Sequence, residues 1–278
     1  MAVIALAGCN GAPGVSTTAL ALLLSWPLPP GRKVLLSECD PDGGAVLFGT
    51  LQGTLGDRYG MRNLSVAARK GELPEAFWRQ LVDMTSDGGK GGEPRRDRLV
   101  LPGVTDPLQS ASLAPAWEQF ADLFRGIDVH PTHGHDVLID LGRRGAFGPS
   151  AVLAHKADVL VVVARSTMAS LHSAKARIDA LEEQVGNVGV LLIDEGPYES
   201  GEVERVLHVP VLARIPFRPA EAKVLSDGAP APARFTSGRL MTAAAKATGV
   251  LQQRANLRRA RLDPRAAHAG GGEVAGAW

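Results

Sequence analysis

Residues 2–19, AVIALAGCNGAPGVSTTA, constrain the fold more than any other stretch of the chain. The apolar run Val3, Ile4, Leu6 has too short a period for a helix and reads as a buried strand. It breaks at Gly8, and the small residues Gly11, Ala12, Pro13 and Gly14 make a turn leading through Ser16, Thr17 and Thr18 into an apolar helix, Ala19 to Trp26. A strand, a phosphate-sized loop and a helix start in that order aim backbone N–H groups and the positive end of a helix dipole at one point, where a phosphate is stabilised. The Ser16 hydroxyl sits where a Mg²⁺ ligand is expected. A tight strand-to-helix turn without a ligand would need the same small residues.

Strand and helix patterns alternate along most of the chain, which argues an α/β fold: a doubly wound, mostly parallel sheet with helices on both faces. Val159 to Ala164 (VLVVVA) is continuously apolar, as a strand covered on both sides must be. Between residues 45 and 98 the pattern is weakest. Leu64 to Lys70 and Leu73 to Met84 read as two helices, the second with Phe77, Trp78, Leu81 and Val82 on its apolar face, and residues 86–98 have the composition of a flexible, solvated loop. Ala114 to Gly126 is an amphipathic helix whose Trp117, Phe120, Ala121 and Phe124 are expected in the core. His130, His133 and His135 lie in a Pro/Gly turn with no cysteine or carboxylate at a metal spacing, which favours a solvated loop. Cys9 and Cys39 read as reduced thiols.

Composition bounds the function without choosing it. A formal net charge of +1 at pH 7 gives no global pull toward nucleic acid or membrane. The first apolar run flows into the loop and lacks a basic leader, so it reads as a strand, and a cytoplasmic protein is expected. After Val250, Arg254, Arg258, Arg259 and Arg261 make a short basic helix followed by a tail of disordered composition, giving an expected division into 1–250 and 251–278. Membrane or DNA contact is open to that helix, but its apolar side offers chiefly Leu251, Leu257 and Leu262, which favours a solvated tail.

The common phosphate-loop pattern is G-x-x-x-x-G-K-[ST]. Here the stretch reads Cys9-Asn10-Gly11-Ala12-Pro13-Gly14-Val15-Ser16, with valine at the lysine. Further segments follow in order: VLLSECDPDGG (34–44), LVLPG (99–103), DVLIDLG (136–142), ADVLVVVARSTMASLHSAKARIDALE (157–182), VGVLLIDEG and VPVLARIPFRPAEAKVLSDGAP. Taken together this set resembles the ParA/MinD family of deviant Walker A ATPases over roughly residues 2 to 250, with Asn10 at the family's signature lysine and Val15 at the ordinary one. A degenerate loop of this kind is similar to that of TadZ/CpaE-like members.

The resemblance implies a set of roles. ATP would lie on Gly11, Ala12, Pro13, Gly14, Val15, Ser16 and Thr17, with Asp194 and Pro216 on the base side; Mg²⁺ would be held by Ser16, Asp140 and Glu38; Asp40 would orient the attacking water. Arg143 or Arg144 would stand in for the lost lysine charge, or else pair with surface acids. A homodimer and a protein partner from a positioning or secretion system are implied too. Loss of both lysines favours a weak or inactive ATPase acting as a switch or scaffold for partitioning, septum or pilus placement. The alternatives are an active partitioning ATPase and, last, a metabolic P-loop ligase.

Overall fold

The computed structural model describes residues 1–10, 14–56, 58–85, 96–127 and 134–262. The expectations for Gly11, Ala12, Pro13, His130, His133, residues 86–95 and the tail from 263 lie outside those residues. The first half runs β1 (Val3–Gly8), α1 (Val15–Ser25), β2 (Lys33–Glu38), α2 (Leu64–Lys70), α3 (Leu73–Phe77), β3 (Val82–Asp83), β4 (Arg98–Leu101), α4 (Pro107–Leu113) and α5 (Trp117–Gly126). The second runs β5 (His135–Asp140), α6 (Ala151–Lys156), β6 (Val159–Arg165), α7 (Met168–Glu182), β7 (Val188–Asp194), α8 (Ser200–Leu207), β8 (Val211–Pro216), α9 (Pro219–Ser226) and α10 (Arg239–Leu262).

The strands form one sheet in the order β3-β4-β2-β5-β1-β6-β7-β8, parallel throughout except where β3 pairs antiparallel with β4. Side-chain alternation sends successive residues of each strand to opposite faces. Val3, Ala5, Val137 and Val162 pack under α2, α3 and α5 to α8, with Phe77, Phe120 and Phe124 at the centre of that layer. Ile4, Leu6, Leu138 and Val161 pack under α1, α9 and α10 through Leu20, Leu23, Leu225 and Leu251. Both faces are therefore covered, as the continuous apolar strands require, and the fold is the doubly wound α/β sandwich expected of a P-loop protein.

Local departures from the sequence reading have physical causes. The helix expected over Leu73 to Met84 ends at Phe77; a single tighter turn, Trp78–Gln80, follows, and Leu81 is extended. Val82 then pairs with Val100, because the ladder offered by the edge of β4 outweighs continued helix. Pro115 sits in a short 3₁₀ turn, so α5 starts only at Trp117, and Trp117, Phe120, Ala121 and Phe124 are buried as expected. His135 is not in a solvated turn: it opens β5 and is buried, with its ring 5.2 Å from that of Trp78.

Arg98, expected at the end of a loop, opens β4 and donates to the carbonyls of Leu23 and Trp26. It thereby adds a cationic donor to the carbonyls at the end of α1, which has no basic residue of its own in its last turn. α10 runs unbroken across residue 250 and buries Leu251 and Ala255. Among the described residues, no helix is long and apolar enough to cross a membrane.

Candidate functional site

The carboxyl ends of β1, β2, β5 and β6 meet at one edge of the sheet, where ligands of such folds bind. Gly14 precedes α1 with φ +123, a conformation open to glycine at little cost, and its carbonyl accepts the Thr18 N–H at 2.8 Å. The next residue, Val15, is buried in the core under α1. Its isopropyl group is spent on packing, where the common loop projects an ammonium.

Asp140 is buried at the end of β5. Its Oδ1 accepts from the Gly142 N–H at 2.9 Å. Burial pushes its carboxyl upward, against the hydrogen bonds from Ser16 and Gly142. Asp40 sits beside it, so close to Gly142 that a Cβ there would fall 1.7 Å from Asp40 Oδ2; Gly142, at φ +54, is the residue that admits the approach. Burial, and then the charges of Asp140 and Asp42, push Asp40 up to about 6, while the Asp42 N–H and Arg143 act the other way. Ser16, Asp40 and Asp140 are thus brought together from three segments.

Glu38, expected among the metal partners, is used differently. Its Oε1 accepts from the N–H groups of Ala45 (2.6 Å) and Val46 (3.1 Å), and its Oε2 from that of Gly103 (3.0 Å). Gly44 and Gly103 let the backbone close on it: a Cβ at Gly44 would lie 2.7 Å from Oε2, and one at Gly103 3.0 Å from the Glu38 Cβ. Both oxygens are engaged, and the residue clamps two loops to the end of β2. Arg143 and Arg144 are exposed and reach Asp42 at 3.8 and 3.5 Å. Asp194 is not among the described residues lining the cavity beside the loop; it pairs with Arg214 at 2.7 Å. Cys9 and Cys39 are free, buried thiols whose pKa burial raises, so both are neutral.

A cavity of about 370 Å³ opens beside Gly14, Thr17 and Thr18, with Pro216 and Phe217 also in its wall. Arg165, Arg218 and Lys223 add cations to its wall. Arg165 pairs with Glu195 at 2.7 Å and lies 5.6 Å from the centre of the Phe217 ring, and its Nε is buried without a hydrogen-bond partner among the described residues. The sequence reading missed it, although a cation ending a continuously apolar strand was a signal. It missed Arg177 too, which donates from α7 to the carbonyls of Gly8 (3.0 Å) and Arg143 and so ties the end of β1 to the turn after β5.

These residues suit a nucleotide with Mg²⁺ in part. Among the described residues no group of three or more His, Cys, Asp or Glu is placed to hold a metal ion by itself. Mg²⁺ commonly takes one or two protein oxygens and completes its shell with water and phosphate, a need that Ser16 and Asp140 meet. The cation of the ordinary loop is what the site lacks.

Neither a family model nor a curated protein matches the sequence. Solved structures do match. A ParA family ATPase from Chlorobium tepidum aligns with a TM-score of 0.63 at 15% identity, covering 93% of this chain and 97% of that one. The septum site-determining protein MinD of Pyrococcus horikoshii, complexed with Mg-ADP, aligns at 0.63 and 17%, covering 92% and 98%. The MinC:MinD cell division complex of Aquifex aeolicus aligns at 0.57 and 17%, covering 100% and 99%. At these identities the likeness is one of fold, and it spans the whole architecture.

Proposed function

We propose that the chain is a ParA/MinD-like nucleotide-binding positioning protein, a weak or inactive ATPase that works as a dimeric switch or scaffold to localise a cellular machine. The observation that carries the reading is the pairing of Ser16 with Asp140 at the start of α1 while Val15, in the lysine position, is buried in the core. The metal side of the site is kept and its phosphate-side cation is not. Fold likeness to a MinD complexed with Mg-ADP supports nucleotide binding, and likeness to the MinC:MinD complex supports work through a protein partner.

In this reading Ser16 and Asp140 would hold Mg²⁺, which would supply charge to screen the phosphates. Thr17, Pro216 and the cavity wall hold the rest of the nucleotide, with Arg165 supplying a guanidinium at that wall. Asp40 would orient a water in this reading. Removing one donor to a developing charge typically costs about 100- to 1,000-fold in rate, so loss of the loop lysine removes turnover before it removes binding.

Calorimetric titration of ATP with Mg²⁺ into the natural protein, Ser16→Ala and Arg165→Ala tests it. The natural protein is expected to bind, Ser16→Ala to lose the Mg²⁺ dependence, and Arg165→Ala to bind about 10-fold or more weakly, the worth of a charged hydrogen bond. No heat from the natural protein, or identical titrations for all three, would sink the nucleotide reading.

A further inference from the structure

The carboxyl end of α10 lies across the amino ends of β6 and β7, at the opposite edge of the sheet from Ser16 and Asp140. Arg254, Arg258 and Arg261 stand there at i, i+4 and i+7, hence along one side of the helix. They line a cavity of about 380 Å³ together with Gly186, Asn187 and Leu257, and among the described residues no carboxylate contributes to its wall. Arg259, one residue round the helix, is neutralised by Asp158 at 2.7 Å. The other three have no ion pair among the described residues.

Arg254 is held in place: its Nε donates to Asn187 Oδ1 at 2.7 Å and its Nη2 to the Val188 carbonyl at 3.2 Å, while Asn187 in turn donates to the Asp158 carbonyl at 2.8 Å. Arg258 Nη1 is buried with no hydrogen-bond partner among the described residues. Cations in the last turn of a helix have an ordinary reason in the helix dipole. That reason accounts for Arg259 and for the exposed Arg261, but it does not account for a guanidinium nitrogen taken out of water and left unpaired beside two like charges. A buried charged donor of this kind costs well over a neutral one and calls for an acceptor. Three convergent guanidiniums suit a tetrahedral, multiply charged oxyanion, which accepts paired N–H bonds from several directions.

We infer that the cavity at the carboxyl end of α10 binds a phosphate-class anion, a free phosphate ester or a lipid phosphate headgroup, through Arg254, Arg258 and Arg261. The site is separate from the nucleotide cavity, so either assignment stands or falls alone.

Inorganic phosphate is the probe, titrated into the full chain by calorimetry at constant ionic strength set with chloride. Natural protein is expected to bind it, Arg258→Gln to weaken binding by about 10- to 100-fold, and Lys70→Gln, which removes an exposed cation at the end of α2, to leave it unchanged. Arg261→Gln, at an exposed side chain, gives the same direction of effect should Arg258→Gln fold poorly. Absence of phosphate binding, binding unaltered in both arginine variants, or binding weakened as much in Lys70→Gln would overturn the assignment. Co-sedimentation with phosphatidylcholine vesicles, with and without phosphatidylglycerol, separates the sources. Capture that needs phosphatidylglycerol and is lost in Arg258→Gln identifies a lipid headgroup; phosphate binding without capture identifies a free ester.

Discussion

Replacing Asp136 by alanine is expected to destabilise the fold by about 3–5 kcal/mol, the usual cost of leaving buried charged and polar partners without their acceptor. Asp136 is buried near the start of β5, at the amino ends of the strands. Its carboxylate accepts from the Ala2 N–H (2.7 Å), Trp26 Nε1 (2.9 Å), Arg32 Nη2 (3.0 Å) and Gln252 Nε2 (3.1 Å). Four segments far apart in sequence thus share one acceptor: the chain start, the end of α1, the turn before β2, and α10. Asp136→Asn keeps one acceptor oxygen and should fall between. Urea unfolding of the three proteins at one pH measures it through the midpoint at constant slope. A loss below about 1 kcal/mol for the alanine variant would show that the donors find water instead.

The second large effect is a pH dependence set by Glu38. Burial pushes its carboxyl from the ordinary 4.5 to about 7, with the Asp140 charge adding and the Gly103, Ala45 and Val46 N–H groups opposing. For a raised acid, the folded protein binds more protons than the unfolded chain between the two values, so stability falls as pH rises through that window. The displacement corresponds to roughly 3 kcal/mol between the acidic and alkaline limits. Asp40, raised to about 6, and Asp140, raised by burial, act in the same direction.

Glu38→Gln removes one of these titrations while leaving the other two. Its stability should decline less steeply than that of the natural protein between about pH 5 and about pH 8. Its amide presents N–H toward backbone donors, so the variant is also expected to be less stable at the acidic end by about 1–3 kcal/mol. Equal slopes for the two proteins would show that Glu38 stays ionised throughout, held by its three N–H bonds.

What the sequence made legible follows from the range of the forces involved. The strand-loop-helix at the start and the core residues Trp117, Phe120 and Phe124 were readable because they depend on local period and on which side chains water rejects. The convergence of Ser16, Asp40 and Asp140 was readable because a parallel sheet puts strand ends together whatever fills its interior. The hold of backbone N–H groups on Glu38 was not legible, because its partner Gly103 lies 65 residues away and the engagement depends on two glycines admitting the backbone. The same range hid Asp136, whose partners are spread from Ala2 to Gln252. The false helical stretch after Phe77 failed for the complementary reason: its apolar spacing was real, but pairing with β4 outweighed it.

Phosphate release under single-turnover conditions, with Mg²⁺ and ATP bound to the natural protein and to Val15→Lys, tests the central claim most directly. The account predicts that the natural protein holds ATP with release at the background rate, and that the restored loop lysine accelerates release, toward the roughly 100- to 1,000-fold that one such donor supplies. Release by the natural protein as fast as by Val15→Lys would contradict it, and would identify the chain as a working ATPase whose charge comes from another residue, with Arg165 the first to replace.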